Sequence, residues 1–185
     1  MARTADHRLT YDDLLALPED GLRHELIDGE HYVAPAPNFR HQKVVVNFTL
    51  AVGNFVERHD LGVLLVAPFD VVFSSTDVVE PDLLFLSRER LGLATEQNIQ
   101  GAPDLVIEIL SPSTRKRDLG VKRQLYERMG VREYWLADPA RETVTVYRRT
   151  GEAFRLAAEL SRDAAEVLTT PLLPGLEIPL ARIFA

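Results

Sequence analysis

Two acids and a lysine stand where charge is out of place. Asp82 lies in the apolar run Pro81-Asp82-Leu83-Leu84-Phe85-Leu86, and Glu108 in Leu105-Val106-Ile107-Glu108-Ile109-Leu110. Lys122 follows in the segment from Asp118 to Met129. On an ideal helix it lies within about 60° of Leu119, Leu125, Tyr126 and Met129, the apolar stripe. Carboxylates and ammonium groups are seldom buried unless they are paired or metal-bound. Side chains alternate along a strand, so Asp82 shares a face with Leu84 and Leu86, and Glu108 with Val106 and Leu110. If the two strands are neighbours, both carboxylates point into one pocket. There they repel, and one takes a proton unless a cation sits between them. Mg²⁺ suits such a pair: it takes one or two protein carboxylates, keeps waters and accepts phosphate oxygens. Mn²⁺ favours the same oxygen ligands, and the Ile109 carbonyl is a candidate third ligand. An inward lysine would orient an attacking water or stabilise a pentavalent phosphate. The competing reading of Lys122 is structural: a salt bridge to Asp118, the stem packed on Tyr126 and the ammonium turned to solvent.

His41, near a helix start, and Arg115 and Lys116, in a loop, are candidate phosphate contacts. Residues 115–132 hold seven Lys and Arg against two acids, a local net of +5 on a chain whose formal charge is −7. The overall charge excludes a protein whose whole surface grips nucleic acid, but a cationic segment can still attract phosphates. A solvated helix with ordinary surface charge would read the same way. His24, His31 and His59 have no metal-ligand spacing, and no Gly-rich phosphate loop or Ser-His-Asp arrangement stands out. There is no cysteine, which removes disulfides, thiolate metal sites and thiol nucleophiles.

The elements that position these residues are legible in outline. At 185 residues the chain fits a single domain, 1–185, with one good core. Thr10 caps a short helix from Tyr11, and Pro18-Glu19-Asp20-Gly21 makes a turn. Asp28-Gly29 between Arg23–Ile27 and Glu30–Val33 is a strong hairpin signal and puts Glu25 on a strand. Asn38 caps a long helix, Phe39 to His59, on the period of Val45, Phe48, Val52, Phe55 and Val56. Strands follow at Val63–Val66, Asp70–Phe73 and Val78–Leu86, the last with Pro81 inside it. Residues 87–100 read as a polar loop with one helical turn. Leu105–Leu110 is apolar on both faces, as a central strand should be. A helix from Arg117 to Met129 ends at Gly130, Glu133–Ala137 is a buried strand, and Thr143–Arg148 with Ala153–Leu156 form a hairpin. Strands and helices alternate only in part, which predicts a mixed α/β sheet. No run reaches the roughly 18 apolar residues of a spanning helix, and residues 1–18 lack a secretory apolar core. The expectation is no membrane association and a cytoplasmic location.

The ordered set Val79-Glu80-Pro81-Asp82, Glu108-Ile109-Leu110-Ser111-Pro112-Ser113-Thr114 and Asp118, Lys122, Tyr126 and Gly130–Asp138 resembles the Uma-type endonuclease family. That family belongs to the PD-(D/E)xK restriction-endonuclease-like superfamily. Glu25–Glu30, His41-Gln42 and Leu173–Leu176 also fit, so the resemblance covers nearly the whole chain. It implies a four-stranded mixed core sheet flanked by helices, here with added β-hairpins, and Mg²⁺-dependent hydrolysis of DNA phosphodiesters. It makes Asp82 the acid of the Pro-Asp motif and Glu108 that of the (D/E)xK motif. The third position of that motif is Leu110, not lysine, and Lys122 matches the position from which a following helix supplies one. Glu25 matches an acidic position near the site, as a further ligand or an orienter; a surface acid of the hairpin is the other reading.

Three functions are therefore open. The first is a metal-dependent endonuclease acting on DNA, for which a homodimer would serve if both strands of a duplex are cut. The second is a nuclease scaffold without turnover that binds nucleic acid or protein, supported by Leu110 and the −7 charge. The third is a glycoside hydrolase with Asp82 and Glu108 as acid and base, which explains neither Lys122 nor the basic segment.

Overall fold

A computed structural model describes residues 8–18 and 20–185. Glu19 of the expected turn, and residues 1–7 of the segment read for a secretory signal, lie outside them. Among the described residues the chain forms two large sheets, a short two-stranded one and two long helical segments. Helix α1 is Tyr11–Leu15, with Thr10 and Asp13 closing a capping box. Strands β1 (Arg23–Ile27) and β2 (Glu30–Ala34) form the expected hairpin. Asp28 and Gly29 both take positive φ, 53° and 75°, the twist that a two-residue hairpin turn requires.

Helix α2 spans 39–58. It is α-helical over Phe39–Phe48, widens to a π-turn at Thr49–Gly53 and is α-helical again over Asn54–Arg58. Asn38 caps it by accepting the His41 N–H. Strands β3 (Gly62–Val66), β4 (Asp70–Ser74), β5 (Asp77–Val79), β6 (Leu83–Ser87), β7 (Asn98–Gln100) and β8 (Leu105–Ile109) follow. Helix α3, 115–129, also carries a π-turn, at Asp118–Lys122, between α-helical Arg115–Arg117 and Arg123–Met129. Gly130 ends it in the left-handed conformation. Then come β9 (Glu133–Asp138), β10 (Thr143–Thr150), β11 (Ala153–Ser161), the short pair β12 (Val167–Leu168) and β13 (Ile178–Pro179), and α4 (Leu180–Ile183).

The main sheet has six strands in the order β11-β10-β9-β8-β6-β3, and it is mixed: β8 and β9 are parallel, the other pairs antiparallel. It extends the four strands that the resemblance implies. The second sheet runs β2-β1-β5-β4-β7. One expected strand is corrected here. Val78 to Leu86 divides at Pro81, so Asp82 precedes β6 rather than lying within a strand. The expected strands Val63–Val66 and Asp70–Phe73, separated at Pro68, form as β3 and β4 and fall in different sheets. Proline has no N–H for a ladder and breaks pairing at both crossings. The crossings are joined by a hydrogen bond from the Ala67 N–H to the Asp82 carbonyl, which fixes the backbone of Asp82. Part of the expected 87–100 loop is β7, and 88–93 forms a 3₁₀ segment.

The alternation of β8 explains the two cores. Leu105, Ile107 and Ile109 face α2 and the C-terminal segment, packing with Phe48, Val52, Phe85 and Trp135. Val106 and Leu110 face α3 and the second sheet, with Leu84, Leu86, Leu125, Tyr126 and Tyr134. Glu108 alternates onto this second face, towards α3. Among the described residues no helix is long and apolar enough to cross a membrane.

Candidate active site

At the end of the main sheet where β6 begins and β8 ends lies a cavity of about 260 Å³. Asp82, Glu108, Glu25, Lys122, Asp118, His41, Arg23 and Arg117 all contribute to its wall, with the 34–38 and 111–114 loops as rims. Five elements meet here: β1 brings Arg23 and Glu25, α2 brings His41, the crossing before β6 brings Asp82, β8 brings Glu108 and α3 brings Lys122.

Asp82 is 3% exposed and fully engaged. Its Oδ2 accepts the Ile109 N–H at 2.8 Å and lies 3.1 Å from His41 Nε2, while Oδ1 accepts from the Arg23 guanidinium at 2.8 Å. Burial pushes the carboxyl up, but His41, Arg23 and the Ile109 amide outweigh it and hold it at about 2. Glu108 behaves oppositely. Burial raises it to about 8, against the pull of Lys122 and with added repulsion from Asp82, Asp118 and Glu25. Its Oε1 accepts from Tyr126 Oη at 2.7 Å and meets Lys122 Nζ at 2.5 Å.

Lys122 is 2% exposed. Its ammonium joins Glu108 to Glu25, lying 2.9 Å from Glu25 Oε1. Burial alone would lower this ammonium, but Glu108, Glu25 and Asp118 more than reverse the effect and raise it above its ordinary value. The π-turn is what aims Lys122 into the site together with Asp118, which is itself buried and raised chiefly by that burial. The outward, solvent-directed reading of Lys122 is thus corrected, and so is the reading of Glu25 as a surface acid. Glu25 also accepts the Glu80 N–H, so the second sheet is tied to the segment that carries Asp82.

Ile109 contributes its amide to Asp82, as described. Arg115 pairs with Asp138 at 2.6 Å and Lys116 is exposed; neither lines the cavity. Two cavity cations were not singled out from sequence, Arg23 and Arg117. Arg23 shares the inward face of β1 with Glu25, a period-two signal that was there to be read. Arg117 lies 3.5 Å from Glu25 Oε2 and its guanidinium sits over the Tyr32 ring. The four carboxylates of the wall face three permanent cations and His41. No three His, Cys, Asp or Glu side chains among the described residues form a ready cage for a metal. The donor set is all carboxylate oxygen, and Glu25 Oε2 is buried with no hydrogen-bond partner. Two buried carboxylates on one cavity wall, one of them raised by burial and further by the other, suit a hard divalent ion that also draws ligands from substrate and water.

The family model described as "Uma2: Putative restriction endonuclease" matches residues 11–181. The chain belongs to the Uma2 family. The architecture agrees with a crystal structure from Anabaena variabilis, described as "a putative nuclease belonging to DUF820". That structure superimposes with a TM-score of 0.79 at 23% identity, over 95% of this chain and 97% of that one. A type IIG restriction endonuclease, BpuSI, aligns with a TM-score of 0.44 and 12% identity over 82% of this chain and 17% of that one. No curated protein matches. At these identities the structural likeness bears on the fold alone, and the Uma2 match carries the family.

Proposed function

We propose that this Uma2 protein is an Mg²⁺-dependent endonuclease that hydrolyses phosphodiester bonds in DNA. The observation that carries the reading is a buried lysine holding together two acids, Glu108 and Glu25, in a cavity that also contains Asp82. Asp82 and Glu108 are the residues that would hold Mg²⁺, with the Ile109 carbonyl as a further oxygen in the same stretch. Mg²⁺, or Mn²⁺ in its place, supplies Lewis acidity at a phosphoryl oxygen and acidifies a coordinated water. The remaining work falls to the chain. Arg23 and Arg117 sit on the cavity wall as donors for non-bridging phosphate oxygens. Lys122 is pre-positioned by Glu25 and stabilises negative charge as the phosphorane forms. His41 orients Asp82 through Nε2, and the site's location at a sheet end opens it to an extended substrate.

Supercoiled plasmid and end-labelled duplex, incubated with Mg²⁺, are expected to be cleaved by the parent protein. Cleavage should stop with a chelator and in Asp82→Asn, while both proteins unfold cooperatively. Equal cleavage by Asp82→Asn would overturn the proposal.

The second reading, binding without hydrolysis, draws on one specific observation. Each of the two motif acids already has a cation from the protein, Arg23 for Asp82 and Lys122 for Glu108. DNA binding that persists at full strength with a chelator, and no cleavage in any divalent ion, would favour it.

A further inference from the structure

The β1–β2 hairpin has two faces. The inward one brings Arg23 and Glu25 to the cavity. On the other, the register sets His24 opposite Val33 and Leu26 opposite His31, so His24 and His31 are diagonal neighbours across the two strands. In sequence they are seven residues apart, a spacing without meaning until the Asp28-Gly29 turn folds them together. His24 Nδ1 then lies 2.9 Å from His31 Nε2.

The other ring nitrogen of His24 is also engaged. Its Nε2 lies 2.9 Å from Asp20 Oδ1, and the same carboxylate oxygen accepts the Leu22 N–H at 2.9 Å. An ionised carboxylate only accepts, so His24 Nε2 carries a proton and, in the neutral ring, Nδ1 turns its lone pair to His31. His31 closes the contact with its Nε2–H. His31 is exposed and His24 half-buried, so solvent reaches the pair. His31 can therefore exchange this tautomer for the one protonated at Nδ1, and both facing nitrogens then offer lone pairs.

One ring nitrogen free for an ion and the other donating to a carboxylate is the arrangement that fixes tautomer and ring in metal-bound histidines. The spacing agrees. Two nitrogens on a tetrahedral Zn²⁺, each at about 2.0–2.1 Å, stand roughly 3.3–3.4 Å apart, so the pair has to open by only about half an ångström. We infer that His24 and His31 form a two-imidazole site for Zn²⁺, oriented by Asp20 and completed by water. Imidazole suits such a borderline ion, whereas the all-oxygen donors of the cavity wall suit Mg²⁺. Two ions of different chemistry are thus kept to opposite faces of one hairpin. The Zn²⁺ cross-links β1 to β2 beside Arg23 and Glu25 and stiffens the strands that hold them. This inference does not depend on the nuclease reading, and loss of cleavage would leave it standing.

Calorimetric titration of the full chain with micromolar Zn²⁺, in millimolar Mg²⁺ to occupy carboxylate oxygens, tests it. The parent is expected to bind one equivalent. His24→Ala and His31→Ala should each abolish that binding, and Asp20→Ala should weaken it about 10–100-fold. Asp82→Asn, on the cavity side, should leave it unchanged. With Cu²⁺ in place of Zn²⁺, electron paramagnetic resonance of the parent should show two imidazole nitrogens on the ion. Unchanged thermal transitions of the metal-free variants check that they fold. A parent that binds no Zn²⁺ overturns the inference. So does binding that survives both histidine substitutions, binding that is lost in Asp82→Asn, or a Cu²⁺ spectrum without the two nitrogens.

Discussion

At the scale of single residues, the site is an arrangement of protons as much as of charges. Asp82, held at about 2, contributes stability that is complete above its ordinary value of 3.8 and is lost as pH falls through 2. Glu108 has the opposite sign. Its carboxyl keeps a proton in the folded chain up to about 8, whereas the unfolded chain releases it near 4.5. Between those values the folded state binds more protons, so stability falls as pH rises. Urea unfolding of Glu108→Gln should therefore lack most of the decline that the parent shows from pH 5 to pH 8. The metal binding proposed above would have to remove the same proton. Calorimetry in buffers of different ionisation enthalpy should detect its release near pH 7, with affinity rising towards pH 8. Lys122→Met should abolish cleavage and cost about 3–5 kcal/mol at pH 8, because two buried acids lose their cation. Adding Glu108→Gln should recover part of that stability but no activity. The motif acids and Lys122 were legible because each is a charge in an apolar pattern. The direction of Lys122 was not, since Asp118 offered a local partner and the true partners, Glu25 and Glu108, lie on β1 and β8.

At the scale of elements, the sequence was clear wherever a turn chemistry or a period acts locally. The Asp28-Gly29 hairpin, the Asn38 cap and the Gly130 stop are set by φ preferences and side-chain acceptors within a few residues. The assignment of these strands to two sheets was hidden, because Val63–Val66, Asp70–Phe73 and the two halves of Val78–Leu86 are all largely apolar and their pairing partners are remote in sequence. The two π-turns were hidden for a related reason: one extra residue per turn barely disturbs an apolar period, yet it rotates everything beyond it. Glycines separate two kinds of constraint here. At Gly120, inside the π-turn, an added Cβ meets nothing within 4 Å, and φ is not positive. Gly120→Ala should stabilise the protein by up to about 1 kcal/mol, raising Tm by about 2–4 °C without loss of cleavage. At Gly62, which opens β3, φ is +144° and a Cβ would lie 2.0 Å from the Leu86 carbonyl oxygen. Gly62→Ala should lower Tm markedly, because backbone must move to admit it; scanning calorimetry distinguishes the two.

For the whole molecule, the proposed reaction requires an acidic protein to approach an acidic polymer. The formal charge of −7 opposes long-range attraction, so binding rests on the few cations near the cavity. Arg23, Arg117 and Lys122 are spent largely on wall acids. That leaves Arg40 and Lys43, exposed on the first turns of α2, and Lys116 beyond the 111–114 rim, which form no ion pair among the described residues. Each phosphate neutralised contributes about −0.9 to the slope of log K against log salt on duplex DNA. With two or three contacts the slope should be only about −2 to −3, far shallower than for a basic DNA-binding protein. Arg40→Ala and Lys116→Ala should each reduce it by about one while leaving the fold and the proposed metal site intact. Anisotropy titrations of a labelled duplex with Asp82→Asn, which binds without cutting, give the slope directly. A steep slope would place many more phosphates on this surface than its charges can serve, and the path of DNA would then have to run over the β-hairpins and not across the cavity mouth. The basic segment at 115–132 made this look simpler from the sequence than it is. In the fold Arg115, Arg128 and Arg132 are drawn into pairs with Asp138, Asp28, Asp77 and Asp104, and its cations serve the architecture more than an approaching polymer.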